Sequence, residues 1–237
     1  MPSVKKMSAF SSKTDHGSVV SFSAAGMEEY YRERAAEYDA FYRVPERYDD
    51  LVRLKAWLVE RVRGRTVLEV AAGTGHWTEA AAAAAISIMA TDHVSETLAV
   101  AKGRRLGPHV AYIEADAFSM PDFASGFAVG MAHMWWSHIE RQNRRKFLTH
   151  LASRLQPRAT LLMIDQVHVE GLCSPITRLD KRGNQLTLRK LANGAVYEII
   201  KNFPSPDELR ECLDGICDDI DITCYRHFWS LSARFRQ

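Results

Sequence analysis

Short apolar runs recur along the chain and alternate with stretches of helical spacing. The first run, Val67 to Ala72, closes on glycines at 73 and 75 and leads into the alanine-rich segment Ala80 to Ala85. Further runs follow at Ile86 to Ala90, His109 to Glu114, Phe127 to Met131 and Thr160 to Ile164. These runs are of strand length, whereas the alanine run has the highest helix propensity available and side chains small enough to lie flat against a sheet. Asn143 to Leu155 reads as another helix, and Pro157 begins the turn out of it. Strands and helices in this alternation predict an α/β fold with a doubly wound, mostly parallel sheet. Ligands of such a sheet collect beyond the carboxyl ends of its strands, and Glu69, Asp92, Asp116, His133 and Asp165 all fall at or near such ends.

The flanking segments carry other patterns. Between Ser23 and Tyr42 the residues Tyr31, Arg34, Ala35 and Tyr38 share one helical face, with Tyr30, Phe41 and Tyr42 close by. Pro45 interrupts this pattern, a second amphipathic helix runs from about Tyr48 to Val62, and Gly64 stops it. Residues 1–26 are rich in serine, lack the apolar core of a secretion signal and read as a mobile arm. Residues 27–237 then form one domain, with 27–62 as N-terminal helices and 166–204 as an insertion. Within the insertion, Gln185 to Leu191 and Val196 to Ile200 flank Ala192-Asn193-Gly194-Ala195, the strongest short signal for a β-hairpin. Pro206 to Leu213 is a short helix capped by Ser205, and two closing strands follow at about Asp219 to Tyr225 and Phe228 to Phe235.

Composition narrows the field of partners. A chain of 237 residues with net charge +2 suits one α/β unit and lacks the basic excess of a nucleic-acid binder. The four cysteines have no paired spacing, so neither zinc nor a disulfide frame is indicated, and they read as buried thiols. No apolar run reaches membrane-spanning length. The simplest location is the cytoplasm, with no membrane partner. Oligomeric state is open between monomer and homodimer, since an exposed hairpin edge invites association.

The chemistry concentrates in Val67-Leu68-Glu69-Val70-Ala71-Ala72-Gly73-Thr74-Gly75-His76-Trp77-Thr78. A strand, a tight glycine turn and a helix form the opening unit of a nucleotide-binding sheet. A dinucleotide fingerprint would want a further glycine where Thr78 stands, which disfavours a nicotinamide oxidoreductase. The carboxylate of Glu69 would repel a pyrophosphate and suit a ligand carrying ammonium or sulfonium charge. With Asp92 after the second strand and Asp116 after the third, the chain resembles the class I S-adenosylmethionine-dependent methyltransferases of the small-molecule type, from about Glu29 to the C-terminus. Ala71 stands where that family often has glycine. The resemblance implies a Rossmann-like seven-stranded sheet, an N-terminal helical lid and S-adenosylmethionine as cofactor, released as S-adenosylhomocysteine. It also implies that Glu69 faces the amino-acid end, that Ala71, Gly73, Thr74 and Gly75 form the close-approach loop, and that Asp92 with His93 meets the ribose. Asp116, Ala117 and Phe118 would address adenine, Tyr30 and Arg34 of the lid would reach the methionine carboxylate, and His133 would touch the cofactor through its backbone.

The acceptor side is expected around Tyr38, Trp135, Trp136, His138, Asp165 and Arg178. His138 is the first candidate for a general base, because an ordinary imidazole titrates near neutrality, and His133 is the second. The tryptophan pair would hold a flat acceptor or shield the sulfonium. Instead of an Asn-Pro-Pro-Tyr-type segment the fourth strand leads into His133 to His138, which disfavours bases of nucleic acid and protein glutamine as acceptors. The expected reaction is in-line methyl transfer to an oxygen or nitrogen of a small aromatic, heteroaromatic or acidic metabolite. Two alternatives stay open: a protein or RNA methyltransferase that uses the basic insertion, and a module that binds the cofactor without transfer.

Overall fold

The structure is a computed structural model that describes residues 19–123 and 126–236. Its elements are, in order, β1 (Val19–Val20), α1 (Ala24–Arg34), a 3-10 helix (Ala35–Arg43), α2 (Tyr48–Val62), β2 (Thr66–Val70), α3 (His76–Ala82), β3 (Ser87–Asp92), α4 (Ser95–Gly103) and β4 (Val110–Glu114). There follow β5 (Phe127–His133), α5 (Arg144–Ala152), β6 (Leu155–Gln166), β7 (Ile176–Leu179), β8 (Gln185–Lys190), β9 (Val196–Ile200), α6 (Pro206–Leu213), β10 (Cys217–Cys224) and β11 (Phe228–Phe235).

Seven strands form the main sheet in the order β10-β11-β6-β5-β2-β3-β4. All neighbours from β6 to β4 are parallel, and β11 runs antiparallel to β6 and β10. Because side chains alternate across a strand, Val67 and Leu68 of β2 enter opposite cores. Val67 meets Ile88, Val129 and Leu162 beneath α2, whose Leu51, Leu54, Leu58 and Val62 recur at helical spacing. Leu68 meets Leu161 and Met163 beneath Phe147, Leu148 and Leu151 of α5 and Leu209 and Leu213 of α6. Each of these side chains contributes about 1.5–3 kcal/mol by leaving water. Truncating the fully buried Leu54 to alanine would break the α2 contact most directly.

A second sheet, β1-β9-β8-β7, projects from the insertion. The Asn193-Gly194 turn closes β8 on β9 as the sequence indicates, with Gly194 at φ 90°. The hairpin gains a third antiparallel strand in β7, and β1 adds in parallel to β9. Residues of β7 are exposed on both faces, so the strand carries no alternation by which a sequence would announce it. Residues 19–26, read as part of a mobile arm, are thus a strand and the capped start of α1, where Gly26 N donates to Ser23 Oγ at 2.9 Å. The remainder of that arm, residues 1–18, lies outside the described residues.

Other boundaries moved for local reasons. The expected helix over Ser23–Tyr42 is α-helical only to Arg34 and then tightens to 3-10 geometry. The helix expected over Asn143–Leu155 runs over Arg144–Ala152, and Pro157, expected in the turn before the strand, lies within β6. It is accommodated at a register shift, where β6 pairs Leu155 with Phe127 and then resumes at Thr160 with Val129. Of the thiols, only Cys217 is buried, and Cys224 is exposed.

Candidate active site

The carboxyl ends of β2, β3 and β5 open onto a cavity of about 540 Å³. The turn after β2 is built from left-handed backbone at Ala71 (φ 54°), Gly73 (φ 56°) and Gly75 (φ 78°). A side chain at Gly73 would meet nothing within 4 Å, so the missing Cβ leaves open space beside the cavity. Gly75 is different, because a Cβ there would lie 3.0 Å from the Ala101 Cβ; its role is to let α4 pack against the turn. Gly73 N donates to Asp92 Oδ2 at 2.7 Å, and Asp92 Oδ1 accepts from Val94 N and Thr97 Oγ1 at 2.9 and 3.1 Å. The second strand's carboxylate is therefore locked between the first turn and α4. Thr74 Oγ1 donates to Asp39 Oδ1 at 2.5 Å, and Arg104 bridges Thr74 O and the Asp39 carboxylate, which ties the N-terminal segment to the turn.

Several polar groups reach the cavity without a protein partner. Glu69 is 1 % exposed, its Oε2 has no hydrogen bond, and burial with the charge of Asp92 pushes its carboxyl up to about 8. Both ring nitrogens of His133 are likewise buried and unpaired, and burial pushes this imidazole down to about 3. Orphaned polar groups of this kind are costly unless a ligand completes them. An α-ammonium or sulfonium group beside Glu69 would do so and would draw its proton away. Asp116 Oδ1 accepts from Phe118 N at 2.7 Å, which occupies that amide and leaves the other carboxylate oxygen for a ligand. The donors, the acidic groups and the open glycine turn fit an adenosyl sulfonium.

The structure brings Glu69, Ala71, Gly73, Thr74, Asp92 and His93 to this cavity. Asp116, Ala117, Phe118 and His133 join them, as do Tyr38, Trp135 and His138. Other expected residues lie elsewhere. Tyr30 turns away onto Tyr197 of the second sheet, at 5.8 Å between rings, and the next residue, Tyr31, faces the cavity in its place. Trp136 is fully buried in the core beneath the Arg144 guanidinium. Asp165 is an internal anchor that accepts from Ser137 N, Ser137 Oγ and Gln166 N at 2.8, 3.0 and 2.7 Å. Arg178 is exposed on β7 and forks onto Glu198 at 2.8 and 2.5 Å, away from either cavity.

A smaller cavity of about 260 Å³ adjoins the first, and Tyr31, Tyr38, Met134 and His138 line both. Arg34 lines only the smaller one, together with Arg47, Arg189 and Lys201. His138 stands at the junction. Its Nδ1 lies 2.8 Å from the Ile200 carbonyl, which only accepts, so Nδ1 carries the proton and Nε2 accepts from the Tyr31 hydroxyl at 2.9 Å. Burial and the Lys201 ammonium hold this imidazole well below its ordinary value. Sequence reasoning singled out neither Arg47 nor Lys201, and it grouped Arg189 with the basic residues of the insertion, which could read an acidic partner or form a solvated face.

A family profile described as "Methyltransferase domain" matches residues 67–158. The structure titled "DhpI-SAM-HEP complex" superposes with a TM-score of 0.73 at 28% identity over 89% of this chain and 96% of that one. The DhpI complex with SAH gives 0.71 at 26% identity over the same shares. Magnesium protoporphyrin IX methyltransferase (ChlM) from Synechocystis PCC 6803 with bound SAH gives 0.63 at 15% identity over 90% and 100%, a likeness of fold. No curated protein matches the sequence. Sheet order and cavity place the chain among the Rossmann-like α/β methyltransferase folds. The domain match and the two relatives solved with SAM or SAH at 26–28% identity support reading it as a class I S-adenosylmethionine-dependent methyltransferase.

Proposed function

We propose that the protein methylates an oxygen or nitrogen of a small metabolite held between its tyrosine-bearing N-terminal segment and the loop after β5. The observation that carries this reading is the pair of cavities sharing Tyr31, Tyr38, Met134 and His138 as a common wall. The larger has room for the cofactor and the smaller for an acceptor of a few heavy atoms, too little for a folded partner. When bound, S-adenosylmethionine supplies the electrophilic methyl group. Glu69 faces its amino-acid end, Asp92 and His93 the ribose, and Asp116 with Ala117 the adenine. Tyr31 and Tyr38 wall the junction and Tyr42 the larger cavity, and burial raises all three hydroxyls so that they stay protonated.

Relatives named for small acceptors support the same class, among them 1,6-didemethyltoxoflavin-N1-methyltransferase from Burkholderia thailandensis. A protein or RNA acceptor recognised by the insertion is less well supported, because the Arg178 charge is already matched by Glu198. His138 is better suited to positioning Tyr31 than to taking a proton, since its Nε2 is occupied and its basicity is depressed.

The test has two readouts. Calorimetry with S-adenosylhomocysteine should show binding that Glu69→Ala and Asp92→Ala each weaken by about tenfold or more, the loss expected for charge-assisted contacts. Methyl-labelled cofactor should then pass label to a small-molecule pool and not to protein or RNA; label in macromolecule would reverse the assignment. His138→Gln should lower turnover while leaving the shape of the pH profile as it was. Loss of the acidic limb, the fall in rate as a base takes up its proton, would restore His138 as the base.

A further inference from the structure

The smaller cavity has a charge pattern that methyl transfer by itself does not require. Arg34, Arg47, Arg189 and Lys201 line it, and no aspartate or glutamate does. Arg47 and Lys201 are only 6 % and 3 % exposed. Lys201 is compensated by Asp165, 3.3 Å away. The arginines are not. Arg34 donates to the Tyr30 hydroxyl, Arg47 to the Phe41 carbonyl and Arg189 to the Ser174 hydroxyl. Among the described residues none of the three forms an ion pair, and Arg189 Nε is buried without a partner. Like charges gathered out of water repel one another and lose hydration, so the arrangement is completed by an anion.

We propose that this cavity is the acid subsite of the acceptor: the substrate is a small oxyacid held by Arg34, Arg47, Arg189 and Lys201, and one of its anionic oxygens takes the methyl group at the Tyr31–His138 junction. This rests on the methyl-transfer reading above and narrows it to esterification. Guanidinium forks match the paired oxygens of a carboxylate and of a phosphorus oxyacid alike. An ionised acid oxygen brings its own lone pair. The O–C bond forms as the S–C bond breaks, the S–C electron pair stays on sulfur, and no proton has to move. That chemistry suits a junction whose imidazole Nε2 already accepts from Tyr31. The ester has one negative charge fewer than the acid, so the arginines hold it less tightly and it leaves.

The experiment is calorimetry on the full chain, first without cofactor, using inorganic phosphate, methylphosphonate, propionate and the neutral control propionamide. At least one acid should bind and the amide should not. Arg47→Gln and Arg189→Gln should each weaken acid binding by about tenfold or more while S-adenosylhomocysteine affinity stays within about twofold. Arg189→Lys should recover part of the loss, and Arg189, half-buried on β8, gives the reading if Arg47→Gln fails to fold. Alkali then separates the two acid classes after incubation with methyl-labelled cofactor, because carboxyl methyl esters release methanol and phosphorus-acid methyl esters persist. Equal acid binding in the Gln variants, binding of the amide as tight as the acids, or joint loss of acid and cofactor affinity would overturn the proposal. Acid binding in a chain that does not bind S-adenosylhomocysteine would instead overturn the cofactor reading and leave the acid subsite standing.

Discussion

A buried carboxyl that holds a proton at neutral pH is a liability for the empty protein, and Glu69 is such a group. Its ordinary value is 4.5 and burial raises it to about 8. Between those limits the unfolded chain has released a proton that the folded chain keeps, so stability falls as pH rises through that window. Glu69→Gln removes the titration. Urea unfolding of the cofactor-free protein should show the pH-dependent loss between about pH 5 and pH 8.5 shrinking by on the order of 4 kcal/mol in the variant. Parallel pH slopes for the two proteins would mean that Glu69 is ionised throughout. The same residue was legible in the sequence, because an acid inside an apolar strand just before a glycine turn has few structural uses. Tyr30 and Tyr31 were not separable there: adjacent helical residues point about 100° apart, and only packing on Tyr197 shows which one is spent on the second sheet.

At the scale of elements, the β2–α3 turn joins two demands, conformation and space. Ala71, Gly73 and Gly75 all have left-handed backbone, and the alanine bears a Cβ penalty that the glycines avoid. Alanine at Gly73 would meet open space, so the fold should lose only about 1–2 kcal/mol while the added methyl crowds the ligand and weakens S-adenosylhomocysteine binding. Alanine at Gly75 would press on Ala101 of α4 and should cost more stability, by about 1–3 kcal/mol for the overpacking, with a smaller direct effect on the ligand. Thermal shift and calorimetry on the two variants check this ordering; a reversed ranking would mean that Gly75 rather than Gly73 borders the cofactor. The glycine pattern announced the turn but not the difference between its members, which depends on what α4 places opposite them.

Over the whole molecule, the N-terminal segment is the part expected to act as a lid. Helix α1 lies against β9 and α4, the following 3-10 helix lies against α4 and sets Phe41 and Tyr42 on the edge of the α2-side core, and Asp39 pins the segment to the turn through Thr74 and Arg104. Hydrogen exchange should slow in residues 24–43 when S-adenosylhomocysteine binds, with little change in β5 and β6, which are already protected. Unchanged exchange in 24–43 would argue against a lid. Among the described residues no helix is long and apolar enough to cross a membrane. The sequence by itself determined the parallel sheet, the proposed cofactor end of the site and the closing antiparallel strands, because strand periodicity, turn chemistry and the Glu69–Asp92–Asp116 order are local signals. Only tertiary structure gathers the residues of the proposed acceptor end. Arg34, Arg47, Arg189 and Lys201 come from four separate segments of the chain, and no local pattern records that folding gathers them around one cavity without a carboxylate.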